Sequence, residues 1–298
     1  MLKILHKDYK DKVKRLLSVM LPIIGTQIAI MGMNFFDASM SGQAGDADLA
    51  GAAIGGNIWM PVQTCFAGIL LAAMPLIANL LGAGEKEKIS TVVRHGMLLA
   101  VAFSVLIIVG GVIFLPPFLQ GMGLAPEVYH IALWYMAGLG IGVLPFFLIT
   151  PLRSLVDTLG YTKLSMKIYL LALPVNAFLN YVLIFGKLGM PAMGVSGAAV
   201  ATLIARIIEI VLILGYVYGK RLPVACGLQD LFGWSRLFVS RFFGTSAPVI
   251  ANEFMWGLGT TMYSLAYGRM GDEAVAAITI ATTIQDIVVV LFQGLSAA

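Results

Sequence analysis

The chain has 298 residues, of which 59% are hydrophobic and 11% charged, with a formal net charge of +4 and a mean hydropathy of +0.93. A soluble domain carries about 25% charged residues, so this composition excludes one and predicts an all-α polytopic membrane protein. The small positive excess makes no nucleic-acid surface, because the basic residues fall in the gaps between apolar runs.

Runs of about 20 apolar residues cross the hydrocarbon as helices. Eight are predicted, at 16–40, 49–82, 92–114, 128–152, 164–185, 195–219, 241–267 and 274–298. The first is too long for the apolar core of a cleaved signal peptide, which is about 7–15 residues. The second is overlong, which predicts tilt or extension past the lipid. Sixteen Lys and Arg residues lie in the amino terminus and the alternate links that follow it, from Lys3 to Arg241, against two, Lys187 and Arg269, in the others. The positive-inside bias then places the amino terminus in the cytoplasm. Residues 1–219 form a predicted six-helix lobe and 220–240 a cytoplasmic linker, in which Leu231, Phe232, Trp234, Leu237 and Phe238 suggest a short interfacial helix. Residues 241–298 then begin a second lobe. His6, His95 and His130 have no ligand spacing and are expected at the interface, and Cys65 and Cys226 are expected to form neither a disulfide nor a metal site.

The second lobe is a copy of the first. Residues 21–72 and 247–298 align without gaps at a spacing of 226 positions, matching Pro22 with Pro248, Gly42 with Gly268, Gly45 with Gly271 and Asp46 with Asp272. An even number of spans between copies predicts a parallel repeat, related by an axis along the membrane normal, with a substrate path at the seam. Because only part of the second copy is present, the chain is expected to be a truncated transporter.

Charged side chains within apolar helices face a cavity or a partner. Glu253 lies near the midplane of the seventh predicted span, where it is either a coupling carboxylate or a structural one bonded across a helix interface. Asp37 sits near the outer end of the first span, a place where an aspartate is also unremarkable. Arg206 and Glu209 are three apart and share a helix face, which predicts an ion pair more readily than a gate. Gln285 and Asp286 are cavity candidates on the eighth span. Asn176 and Asn180, just past Pro174, offer amide oxygens to a small cation or bond two helices together. Thr202 adds a hydroxyl among the small residues Gly194, Gly197, Ala198 and Ala199, which also allow close helix approach.

Four segments carry a family resemblance in this order: LPIIGTQ, IWMPVQTCFAGILLAAMPLIANLLGAG, LALPVNAFLNYVLIFGKLGMPAMGVSGAAVATLIAR and APVIANE. On them the chain resembles the multidrug and toxic compound extrusion (MATE) family, nearest its NorM-type branch, over the first two thirds of a twelve-helix fold. The resemblance implies a monomeric multi-pass protein of a bacterial plasma membrane, embedded in lipid and binding no nucleic acid. It implies export of amphipathic, often cationic small molecules in antiport with Na+ or H+, without enzymatic chemistry or a cofactor. Its polar amino-terminal site falls on Asp37, Asn176, Asn180 and Thr202, and its carboxy-terminal cation site on Glu253. Some relatives have an acid where Asn180 stands. A lipid or lipid-linked saccharide flippase of the same superfamily is the alternative, disfavoured because Arg206 is the one basic residue deep in a predicted span.

Overall fold

A computed structural model describes residues 2–220 continuously, and beyond them only scattered helical positions between 244 and 292. All regular structure among the described residues is helical: α1 (Leu2–Gly42), α2 (Asp46–Leu71), α3 (Ala73–Gly82), α4 (Lys86–Gly121), α5 (Pro126–Thr158), α6 (Thr162–Phe185) and α7 (Val195–Gly219). With α2 and α3 taken together, six stretches are long and apolar enough to cross a membrane, and they match the first six predicted spans. The seventh and eighth predicted spans and the linker at 220–240 lie outside the continuously described residues.

The helices outrun the apolar runs that signalled them. The basic amino-terminal residues are wound into the first turns of α1 rather than left as a loop, since nothing before Pro22 breaks a helix and Lys and Leu are good helix formers. The overlong second span is broken at Ala72, between α2 and α3. Pro75 explains the position, because its ring clashes with the carbonyl four residues back, at Leu71. The local hydrogen bond tightens accordingly, from Ala72 N–H to the Ile69 carbonyl. His95, expected at the interface, is instead buried inside α4, with its Nδ1 2.8 Å from the Thr91 carbonyl oxygen.

The bundle is organised around α5, which packs against α2, α4 and α7, while α1 lies along α6 and α6 along α7. Phe147 of α5 is fully buried, with its ring 6.3 Å from that of Phe66, which in turn lies 4.9 Å from Phe103 of α4. Outward-facing Phe114, Trp134, Ile141 and Val211 are each more than 60% exposed. An apolar exterior of that kind suits hydrocarbon rather than water.

One long-range contact seats α7. The preceding residue, Gly194, has φ +55°, and the first helical N–H, that of Val195, donates to Asp48 Oδ1 at 2.8 Å. Asp48 therefore caps α7 from the start of α2, supplying the acceptor that a local capping side chain would otherwise provide. A Cβ at Gly194 would lie within 3.0 Å of the Asp48 carboxyl carbon. Asp48→Ala is expected to cost about 1 kcal/mol, and Gly194→Ala more, because it adds backbone strain to the lost cap. Thermal unfolding of the detergent-purified variants checks the order.

Candidate functional site

Three helices bring four of the predicted residues into one hydrogen-bonded cluster. α1 carries Asp37, α6 carries Asn176 and Asn180 one turn apart, and α7 carries Thr202. Asn180 Nδ2 donates to Asp37 Oδ1 at 2.5 Å and to Asn176 Oδ1 at 3.3 Å. Thr202 Oγ1 donates to Asp37 Oδ2 at 3.0 Å and accepts from Asn176 Nδ2 at 3.4 Å. Both asparagines are buried, at 1% and 0% exposure, and Asp37 is half-buried. The carboxylate is thus held by neutral donors alone among these bonds, and the buried Asn180 Oδ1 has no hydrogen-bond partner among the described residues. An acceptor left unpaired at such depth costs roughly 1–3 kcal/mol.

The cluster opens onto a cavity of about 380 Å3, lined by Asp37 together with Asn34, Gln63, Tyr135, Trp59 and Arg206. Asp37 is the one acidic residue in that lining among the described residues. Arg206, also in the wall, is turned to its own helix: its Nη1 lies 2.7 Å from Glu209 Oε2. Glu209 is fully buried and Arg206 is 8% exposed; Arg206 Nε and Glu209 Oε1 lack partners among the described residues. The guanidinium also lies over the rings of Phe146 and Tyr169, at 5.6 and 5.7 Å.

A second ion pair was not anticipated. Arg153, expected in a cytoplasmic link, is part of α5 and pairs with Asp157 at 3.3 Å. Ser165 of α6 donates to the other carboxylate oxygen at 2.6 Å. Tyr169 stands between the two cations, 5.1 Å from the Arg153 guanidinium and 5.7 Å from that of Arg206. The i,i+4 spacing of Arg153 and Asp157 is the local sequence signal of this pair. Trp59, Gln63 and Tyr135 were also missed, since nothing local separates a cavity-lining aromatic from a lipid-facing one. Gln285 is exposed and does not line this cavity. Glu253 and Asp286 lie outside the described residues.

Comparison with known proteins agrees with this architecture. The MatE family profile matches residues 22–182. A probable multidrug resistance protein NorM from Oceanobacillus iheyensis is 49% identical over 193 residues, which are 65% of this chain and 43% of that one. Its counterpart from Listeria innocua is 34% identical over 276 residues, 90% of this chain and 59% of that one. The matched stretches thus span less than two thirds of the length of these relatives. Among solved structures, a MOP superfamily transporter from Pyrococcus furiosus superposes with a TM-score of 0.84 at 22% identity, covering 95% of this chain and 62% of that chain. An outward-facing multidrug resistance MATE family transporter gives the same TM-score and coverage; at this identity the likeness concerns the fold. Six membrane-crossing helices in this arrangement, with the family profile over more than half the chain, place it in the MATE family as a multi-pass membrane protein.

Proposed function

We propose that the chain contributes the amino-terminal lobe of a secondary transporter that exports amphipathic cations in exchange for Na+ or H+ by alternating access. In this reading Asp37 binds the coupling cation or proton. The observation that carries it is the polarity of the cluster: a carboxylate bonded to neutral Asn180 and Thr202, with the other atom of the same Asn180 amide, Oδ1, unpartnered among the described residues. A carboxylate within a membrane span that has no bonded cation is costly unless something positive reaches it. Hard cations take oxygen ligands, and the carboxylate, the two amide oxygens and the Thr202 hydroxyl are all oxygens. Glu253 is proposed as the cation-binding acid of the second lobe, at a different place in the repeat, since the 226-residue spacing pairs it with Gln27 and pairs Asp37 with Tyr263. The flippase reading has less support, since the one guanidinium in the described cavity is neutralised by Glu209.

The test is direct cation binding to the chain in lipid nanodiscs. Binding of radiolabelled Na+, or proton release on adding Na+, is expected in the native chain and lost in Asp37→Asn, while Asp157→Asn retains it. Equal binding by Asp37→Asn and the native chain overturns the reading.

The amino terminus is proposed to be cytoplasmic. With Cys65 and Cys226 replaced by serine, a cysteine at position 45 or 124 should react with an impermeant reagent from outside, and one at position 86 or 229 only from the cytoplasm. External labelling at 229 would reverse the topology.

A further inference from the structure

Trp59 belongs to two cavities at once. On α2, Gly51, Gly55 and Trp59 are four apart and so share one face, which meets α5. A Cβ on Gly51 would fall 2.6 Å from Ile131 Cγ2, and one on Gly55 would fall 2.6 Å from Tyr135 Cδ1. The two helices therefore touch at the first two positions, and Trp59 occupies the third. On one side the indole helps to line the Asp37 cavity. On the other it lines a larger groove of about 1050 Å3 between α2, α4 and α5, with Phe66, Ile107, Gly111, Met136 and Gly140 among its walls.

The groove is unlike the cavity behind it. No charged or hydroxyl-bearing side chain among the described residues lines it, and it borders the stretch of α4 where Leu106, Val112 and Phe114 are 59%, 73% and 70% exposed. In a membrane-spanning chain an apolar surface of that kind suits lipid. Gly110, Gly111 and Gly140 do not bring helices together there, since a Cβ on any of them would meet nothing within 4 Å. They leave volume vacant, and the result is the size of a drug-binding cleft, about 300–1,000 Å3.

We propose that this groove binds the apolar tail of an amphipathic cation drawn from the lipid, with Trp59 as the movable partition between it and the Asp37 cavity that takes the charged head. The occupant follows from complementarity. A neutral lipid tail has no use for the carboxylate, and a hydrophilic cation has none for the groove. A molecule with both parts fits both sides, and an indole between them offers its face to a quaternary ammonium. This rests on the reading of Asp37 as a cation site and adds where the rest of the ligand lies.

The probe is an alkyltrimethylammonium series, from tetramethyl through hexyl to tetradecyl, titrated onto the chain in nanodiscs and corrected for partition into empty nanodiscs. Affinity, referred to the free aqueous ligand after the empty-nanodisc background is subtracted, is expected to rise with tail length, by up to about fourfold per buried methylene. Gly140→Leu fills the groove without moving backbone; it is expected to flatten that rise and weaken the tetradecyl compound at least tenfold, leaving tetramethylammonium unchanged. Gly215→Leu is the control, since Gly215 is exposed on α7 with open space at its Cβ; it should change neither. An unaltered dependence on tail length in Gly140→Leu overturns the proposal. If tetramethylammonium binding ignores Asp37→Asn while tail length still responds to Gly140→Leu, the Asp37 reading fails and the groove stands as a tail site.

Discussion

Replacing Glu209 with glutamine is expected to destabilise the chain by about 3–5 kcal/mol, the cost of breaking a buried ion pair from one side. Glu209 is fully buried and is the residue bonded to Arg206 Nη1. Arg206 cannot shed its proton at any accessible pH, and it lies too deep in α7 to reach water at either end. Two flanking rings attract the cation but do not accept its remaining hydrogen bonds. The amide of glutamine keeps the shape and one acceptor, so the loss is one of charge. A double variant, Arg206→Met with Glu209→Met, should recover most of the stability, because an apolar replacement removes both desolvation costs together. Thermal unfolding followed by tryptophan fluorescence in detergent distinguishes the two. A single variant as stable as the native chain would show that the pair is not energetically isolated from solvent. The single variant has a second expected consequence: an unneutralised guanidinium in the wall of the Asp37 cavity should repel any cation binding there.

Gly197→Ala is expected to lower stability by about 1–3 kcal/mol, as overpacking does, and to weaken cation binding at Asp37 as well. A Cβ at this position would lie 2.7 Å from the backbone carbonyl carbon of Leu183 and 2.9 Å from the nitrogen of Ile184. Backbone atoms cannot rotate away as a side chain can, so α6 and α7 must separate. Those two helices carry Asn176, Asn180 and Thr202, and the bond from Asn176 to Thr202 is already long at 3.4 Å. A shift of a few tenths of an ångström breaks it and leaves Thr202 oriented by Asp37 alone. Stability and Na+ binding should therefore fall together. At Gly142, on the same cavity, the nearest atom to an added Cβ is 4.0 Å away, and Gly142→Ala should leave both unchanged.

Different parts of this molecule were legible to different degrees. The six spans of the described region were readable because crossing a bilayer needs only local length and apolarity, both one-dimensional properties. Their ends were less so: α4 extends to Lys86 and Gly121 and α5 to Thr158 because polar residues at the interface continue a helix as readily as apolar ones. The break at Ala72 went unread although Pro75 was in plain view, since the position of a kink depends on the carbonyl four residues back. Arg206 and Glu209 were readable as a pair because three residues along one helix fix their mutual direction. Asp37 illustrates the limit. Its depth on α1 made it no more than one interfacial acid among others, and its connection to α6 and α7 was known only through family resemblance.

By itself, then, the amino-acid sequence determined the class of solvent, the number and place of the membrane spans within the described region, and the contacts made within one or two turns. Tertiary structure alone decided which faces meet. In a water-soluble helix the apolar stripe marks the buried side; in lipid both sides are apolar, and rotation about the helix axis is set by close packing of small residues and by polar pairing. That is why the cap from Asp48 to Val195, 147 residues apart, the gathering of Asn180 and Thr202 on Asp37, and the position of Trp59 between a polar cavity and an apolar groove all emerge only when the helices are packed.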